Sequence, residues 1–377
     1  MKKDTRNILM IAATESDANL YYVCKFLAPD PIIFIQIKGK KHLLMNDLEV
    51  DRAREQASVD QVHSTSALAK EFYKKHNQRP GYVDLVAEFL KKQKVKMLSV
   101  PGNFGVEYAD ELRHMGFDIK VEAEPFFPQR LIKEDFEVKA TEKAIRYVEV
   151  AFDKAVKALQ ASVIKRGRVY LDGSPVTSES LRKIINVSLM ENACVATHTI
   201  VACGKHAVDP HNEGTGPIFA NQSIIMDIFP RDSHSRYHAD FTRTVCKGKA
   251  SPELKKMYAA VHEGQEIAFK AIKPGADASK IHAAIHTRFE ELGFKTGLIN
   301  GRMQGFFHGT GHGLGLDIHE LPRFGGVKEI FKEGHIVTVE PGLYYEGLGG
   351  VRLEDVVVIT KTGCKNLTRY PRFLEIA

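Results

Sequence analysis

Nowhere does the chain hold anything near the ~20 consecutive apolar residues that a membrane-spanning helix needs. It also has no long block of Lys and Arg of the kind that follows a nucleic-acid backbone, and its net charge of +6 is mild for 377 residues. Neither a membrane nor a nucleic acid is therefore expected as a partner. Cysteine is scarce: Cys24, Cys194, Cys203, Cys246 and Cys364 are scattered, odd in number and without CxxC spacing. This argues against a disulfide framework or a zinc ribbon and fits free thiols in a reducing cytoplasm. The N-terminus from Met1 to Arg6 is basic, but the apolar run after it, Ile8 to Ala13, is too short for the core of a signal peptide and reads as a strand. The first 130 residues contain no GxGxxG and no P-loop, and no low-complexity segment or short repeat occurs anywhere. What is present is a 44% hydrophobic composition, ample for a core, and a length that suggests two to three domains.

The first part of the chain alternates strand and helix patterns. Strands are expected at Asn7–Ala13, Pro31–Ile37, Lys41–Met45, Lys96–Val100 and Asp118–Val121, and helices at Ser16–Leu27, Asp47–Ala57, Ser66–His76, Val83–Lys94 and Val106–Met115. A boundary falls between Phe126 and Asp135, dividing the chain into domains 1–130 and 131–377. Apolar residues from Phe136 to Leu159 then recur at helical spacing, so a long helix is expected over Lys133–Leu159. Further helices follow Pro175, begin at Ser251-Pro252, and cover Asp277–Leu292 up to Gly293. Strands are expected at Thr199–Ala202, Ile224–Phe229, His238–Val245, Ile336–Val339 and Val351–Ile359.

One stretch of fourteen residues, Phe307 to Glu320, carries His308, His312 and His319 among four glycines. So much glycine disfavours a helix, at about 1 kcal/mol each relative to alanine, and an extended or looping backbone is expected. In a strand, His308 and His312 share a face, and the glycines let backbone approach a bound group closely. Carboxylates sit in or beside β-rich apolar runs elsewhere. Asp227 follows Ile224-Ile225-Met226, Glu340 follows Ile336-Val337-Thr338-Val339, and Glu354 precedes Val356-Val357-Val358. Singly, each has an ordinary structural reading. Asp240 could be held by Thr242 and Thr244 on its own strand face, His312 could be a loop histidine, and Glu354 could pair with Arg352. Together they leave several buried charges, and four carboxylates cannot neutralise one another. A pair of divalent cations can.

The ordered set Asp…Asp-x-Thr-Arg-Thr, His-Gly-x-Gly-His-Gly-x-Gly-x-x-x-His-Glu, Glu-Pro-Gly and Gly-x-Arg-x-Glu-Asp resembles the pita-bread metallopeptidases, and within them the Xaa-Pro peptidases, prolidase and aminopeptidase P. The match covers roughly residues 135 to 375. The resemblance implies an α+β fold with a C-terminal pita-bread domain, an antiparallel sheet with covering helices and a pseudo-twofold, and a smaller α/β creatinase-like N-terminal domain. It also implies that Asp227, Asp240, His312, Glu340 and Glu354 are the ligands of two divalent metal ions, with Asp240 and Glu354 bridging. The oxygen-rich set suits Mn²⁺, with Co²⁺, Fe²⁺ and Zn²⁺ as alternatives, and a bridging hydroxide is the implied nucleophile. By the same resemblance Glu340 also handles the nucleophile's proton, His211 meets the substrate and His319 stabilises the tetrahedral intermediate. His308 lies near the pocket for the residue after the cut, Arg352 orders the site, and Arg323 is placed to hold a product-side carboxylate. Short Xaa-Pro peptides are the implied substrates, and a homodimer the implied assembly.

The chain departs from that pattern in one place. The family commonly sets its second aspartate about eleven positions after the first, with glycine soon after the first. Here the offset from Asp227 to Asp240 is thirteen, and Ile228-Phe229-Pro230 follows Asp227. Pro230 to His234 reads as a longer hairpin turn that leaves both strands in register and reshapes the pocket rim. The expected activity is hydrolysis of the bond preceding proline, as dipeptidase in preference to aminopeptidase. The alternatives are a methionine-aminopeptidase-like exopeptidase, against which the N-terminal domain argues, and a metal-free binding module or creatinase-type hydrolase, against which the full ligand set argues.

Overall fold

The computed structural model describes residues 4–377. The chain divides into two compact units, one ending at Pro128 and the other spanning Gln129–Ala377.

The first unit is a six-stranded mixed sheet with helices on both faces. Its strands are β1 (Ile8–Ala12), β2 (Ile32–Ile37), β3 (Lys40–Met45), β4 (Gln61–Ser64), β5 (Met97–Val100) and β6 (Asp118–Val121), in the order β4-β3-β2-β1-β5-β6. The helices are α1 (Ala18–Cys24), α2 (Val50–Gln56), α3 (Thr65–His76), α4 (Tyr82–Lys92) and α5 (Val106–His114). Period-two alternation decides what each strand buries. Leu9, Ile11, Ile33 and Ile35 pack with Val86 and Leu90 of α4 and Leu112 of α5. Ile8, Met10 and Phe34 pack on the other face with Leu20 of α1 and Ala53 of α2. β4 had no expected counterpart. It is a short edge strand with little buried surface, so it leaves almost no apolar pattern.

The second unit is built from two helix pairs, each set against antiparallel strands. α6 runs over Asp135–Ala161 and α7 over Ser178–Met190. Thr177 and Ser180 cap the start of α7 reciprocally. The buried stripe of α6, including Ile145, Val148, Phe152 and Leu159, meets Leu181 and Ile185 of α7 and the strand residues Ile224, Met226 and Val245. α8 (Pro252–Ala271) starts with Ser251 accepting from the Leu254 amide, and α9 (Ala278–Glu291) with Asp277 accepting from Ser279. Their apolar faces close over Val337, Val339, Val351 and Val357.

One sheet has the order Ile200–Cys203, Ile224–Asp227, Thr242–Lys247, Glu375–Ile376. The other has the order Glu320–Phe324, Gly311–Gly313, Ile336–Val339, Asp355–Ile359, Cys364–Asn366. No helix among the described residues is long and apolar enough to cross a membrane.

Two expected strands differ from those found. The strand expected over His238–Val245 is regular only over Thr242–Lys247, so Asp240 lies just ahead of it. The strand expected over Val351–Ile359 is two, Gly349–Arg352 and Asp355–Ile359, separated at Leu353-Glu354. The first pairs with Gly342–Tyr345 and the second with Ile336–Val339. A chain that changes partners must bend between them, and the β-branched run Val356–Ile359 after it, with Val351 before it, hides the bend. The longer turn also has more structure than a tight hairpin. Arg231-Asp232 forms its own antiparallel ladder with Cys194-Val195, and Asp232 accepts from the His234 and Ser235 amides. The main register is untouched, with Asp227 opposite Thr242 and Ile224 opposite Val245.

Candidate metal centre

Asp227 ends its strand and faces away from the α6/α7 core. Ile224, Met226 and Ile228 point into that core, so the alternate residues Ile225 and Asp227 point to the opposite side. Asp240 and Glu354 come from the irregular segments just described, His312 from the middle of the strand Gly311–Gly313, and Glu340 from just past Ile336–Val339. Asp240, His312 and Glu354 each place one ligand atom within 4.8 Å of the others. His312 Nε2 is 3.5 Å from Asp240 Oδ2 and 3.3 Å from Glu340 Oε1. Asp227 joins them through its field, which acts on Asp240, Glu340 and Glu354.

The electrostatics are those of too many negative charges in one dry place. Burial, then Asp227 and Glu340, push the Asp240 carboxyl well above the usual range, partly offset by a hydrogen bond with Glu354. Burial, then Asp240, Glu340 and Asp227, push Glu354 the same way. Burial raises Glu340 to about 7 although Arg352 pulls it down. Burial also lowers the basicity of His312, whose Nδ1 sits 3.0 Å from the Gly313 carbonyl oxygen. That contact fixes Nδ1 as the protonated nitrogen and leaves Nε2 as a free lone pair aimed at the carboxylates. Two carboxylate oxygens, Asp227 Oδ1 and Glu354 Oε1, are buried with no hydrogen-bond donor on them. Of the four carboxylates, Arg352 hydrogen-bonds to Asp227, at 2.7 Å, and acts on Asp240 and Glu340 through its field. The donor set therefore fits a cation: oxygen-rich, buried and electrically incomplete.

Supporting residues hold these groups in place. The Thr242 hydroxyl donates to Glu354 Oε2 at 2.8 Å, and the Thr338 hydroxyl to Glu340 Oε1 at 3.2 Å. Thr242 thus serves Glu354, and Thr244 donates to the Arg352 carbonyl; neither holds Asp240 as its position suggested. Arg352 does not pair with Glu354. Its guanidinium reaches Asp227, the Tyr344 hydroxyl at 2.8 Å and the Pro210 carbonyl. Tyr344 was not singled out in the sequence. Its hydroxyl, already accepting from Arg352, donates to His308 Nε2 at 2.9 Å. Thr338 could have been found by its two-residue spacing from Glu340, whereas the same spacing tied Thr242 to Asp240 rather than to Glu354. Tyr344 carries no such signal.

The remaining expected residues are placed less centrally. His308 lies in a bend outside the strand of His312, so the two do not share one strand face. His319 is exposed, its ring edge-on to His312 with centroids 4.4 Å apart. His211 and Arg323 are exposed; both act on His319 through their fields, and Arg323 is the cross-strand partner of His312. The glycines have a different task from the one expected. A Cβ at Gly311 would lie 2.1 Å from the Thr338 carbonyl oxygen, and one at Gly313 2.3 Å from that of Leu321. They let neighbouring strands approach, and Gly315 makes room for the Glu320 carboxylate. That carboxylate is bound by Arg130 and Lys133 and accepts from the amides of Leu316 and Asp317. It ties down the loop that carries His319.

Comparison with known proteins agrees with this arrangement. Residues 139–361 match metallopeptidase family M24. An Xaa-Pro dipeptidase of Pyrococcus horikoshii is 28% identical over 99% of this chain and 96% of its own. One from Pyrococcus furiosus is 34% identical over 65% of each chain. Among solved structures, an X-Pro aminopeptidase from Thermotoga maritima superposes with a TM-score of 0.82 at 22% identity, covering 99% of this chain and 98% of that one. A prolidase from Pyrococcus horikoshii gives 0.79 at 24% identity over 98% and 95%. The α+β, pita-bread architecture expected from the motifs is the one found. A match over more than half the chain, joined to a buried carboxylate and imidazole cluster whose donors suit a cation, makes this protein a member of metallopeptidase family M24, whose chemistry depends on divalent metal ions.

Proposed function

We propose that the chain is an Xaa-Pro dipeptidase that hydrolyses the peptide bond preceding proline. The observation that carries this is the meeting of Asp240, His312 and Glu354 within 4.8 Å, with Glu340 against His312, Asp227 acting on the other carboxylates, and the Asp227 Oδ1 and Glu354 Oε1 oxygens buried without a donor. In this reading Asp227, Asp240, His312, Glu340 and Glu354 would hold two divalent ions. Mn²⁺ suits the donor set best, and Co²⁺, Fe²⁺ or Zn²⁺ can replace it. Ions bound there polarise the scissile carbonyl and lower the pKa of an attacking water.

The chain's own residues do the rest. Glu340, whose Oε1 lies 3.3 Å from His312 Nε2, takes a proton from the water and passes it to the departing proline nitrogen. His319, edge-on to His312 and open to solvent, donates to the oxygen on which charge develops. His211 holds the substrate beside it, and His308 borders the residue after the cut. Arg352 fixes the orientation of Asp227. Arg323 pairs with the free carboxylate of a dipeptide, which favours dipeptidase over aminopeptidase P. The named relatives support proline specificity, since those of both Pyrococcus species are Xaa-Pro dipeptidases. We read residues 1–130 as a creatinase/prolidase-like domain, residues 131–377 as the catalytic domain, and the protein as a cytoplasmic homodimer.

A panel of Ala-Pro, Ala-Pro-Ala and Met-Ala-Ser with Mn²⁺ added tests the reading. Ala-Pro is expected to be cleaved fastest. Preference for Ala-Pro-Ala would move the assignment to aminopeptidase P, and preference for Met-Ala-Ser would overturn proline specificity. Metal analysis after supply of Mn²⁺ or Co²⁺ should give about two equivalents, and less than about half of one would defeat the metal reading. Light scattering is expected to give twice the chain mass.

A further inference from the structure

We infer that Phe229, with Phe307, walls the pocket for the leading residue of the substrate and limits the size of its side chain; this rests on the Xaa-Pro reading above. The alternation that places Asp227 continues past the end of its strand. Ile224, Met226 and Ile228 all lie in the α6/α7 core. Ile228 still donates its amide to the Phe241 carbonyl, 2.9 Å away, so the backbone stays extended for one more residue. Ile225, Asp227 and Phe229 therefore share the opposite face. Phe229 is partly buried there, against a small apolar group containing Ala207, Val208, Ile225 and Tyr344. Phe307 packs on the same group from the other side, its ring 5.4 Å from that of Tyr344.

Tyr344 is the residue whose hydroxyl links Arg352 to His308. Phe229 follows Asp227 on one face and Phe307 lies against Tyr344, and both keep part of their surface open. Where the family's pattern has glycine, this chain has an aromatic ring. The extra ladder of Arg231-Asp232 with Cys194-Val195 and the bond from the His238 amide to the Gly315 carbonyl hold the following turn in place. Phe229 is therefore mounted on a fixed segment.

The chemistry of the substrate says which residue meets this wall. The leading residue carries a free α-amino cation and the scissile carbonyl, and that carbonyl must reach the cluster where the ions would sit. Its side chain leaves the same carbon as that cation and must lie within a few ångströms of Asp227, where Phe229 is the next residue on that face. The proline ring lies beyond the scissile carbonyl. The pocket accordingly suits a small apolar leading residue and resists an aromatic one.

The test is the ratio of kcat/KM for Ala-Pro to that for Phe-Pro, measured on the Mn²⁺-loaded full chain. The wild type is expected to favour Ala-Pro by about tenfold or more, the scale of discrimination an apolar pocket provides. Phe229→Gly should reduce the ratio to about threefold or less, chiefly by improving KM for Phe-Pro. Phe307→Ala should shift it in the same direction, and Phe229→Leu should keep most of the preference. A general loss of structure would slow both dipeptides together and leave the ratio in place. An unmoved ratio in Phe229→Gly and Phe307→Ala, or a wild type indifferent to the two dipeptides, overturns the pocket assignment alone. A wild type that cleaves neither dipeptide overturns the Xaa-Pro reading itself.

Discussion

At the scale of single residues, the centre is a set of groups each unstable without the others. Asp240 and Glu354 gain least from protein donors and most from a cation. Replacing either with alanine is expected to abolish hydrolysis of Xaa-Pro dipeptides while far-UV dichroism stays that of the wild type. More than roughly a tenth of the activity left in both variants would defeat their role as ligands. Arg352 is a separate test, because its flat guanidinium serves Asp227, Tyr344 and the Pro210 carbonyl at once. A lysine keeps the charge and loses the fork. Arg352→Lys should weaken metal affinity by about 10- to 100-fold, read by titrating Mn²⁺ into the chelated protein. The proposed ligands and Arg352 were all singled out in the sequence, the carboxylates because charges in or beside apolar runs demand an explanation and the rest by the family motifs. The partner of Arg352 was not. Two-residue spacing pointed to Glu354, but the strand breaks between them and the guanidinium turns to Asp227. Tyr344 was invisible because a tyrosine in a strand is ordinary until a buried partner claims its hydroxyl.

At the scale of elements, the strand Gly311–Gly313 has no room for a side chain at either glycine. Its neighbour approaches so closely that Gly311→Ala must push the two apart at the Thr338 carbonyl. Overpacking of this kind costs about 1–3 kcal/mol, and here it also displaces His312. Thermal unfolding should move down and Mn²⁺ uptake fall together; an unchanged midpoint with full metal binding would contradict the geometry. Helices were the most legible elements. The long α6 and the capped starts of α8 and α9 lie within two residues of their expected positions. Strands were less so, because β-branched runs specify extended backbone but not its partner. Val351 to Ile359 looks continuous in sequence and is bent only because two different neighbours compete for it.

At the scale of the whole molecule, the centre ties stability to pH and to metal. In the metal-free chain Glu340 titrates at about 7 when folded and near ~4.3 when unfolded. Between those values the folded state binds more protons than the unfolded state, so stability falls as pH rises. Asp240 and Glu354 shift in the same direction. Glu320 acts oppositely. Burial raises its carboxyl, but Lys133 and Arg130 outweigh that and leave it lowered. Its contribution is present above the unfolded value and is lost as pH falls through the folded one. Calorimetry with chelator should therefore show a lower midpoint at pH 7.5 than at pH 5.5, and Mn²⁺ should reverse that order. A chelated protein more stable at pH 7.5 would argue against the buried acid cluster.

The four- and five-stranded sheets of the second unit meet where the chain bends at Glu354. Its amide donates to the Thr242 carbonyl, its carboxylate accepts from the Thr242 hydroxyl, and its own carbonyl is held by Arg243. Asp227 and Asp240 belong to one side of that join, and His312 and Glu340 to the other. An ion gripped from both sides works as a rivet through the seam. Amide protons at Thr242 and Glu354 should then exchange with solvent more slowly once Mn²⁺ is supplied, long before any peptide arrives, and the enzyme would carry in its own rigidity a record of whether it is loaded.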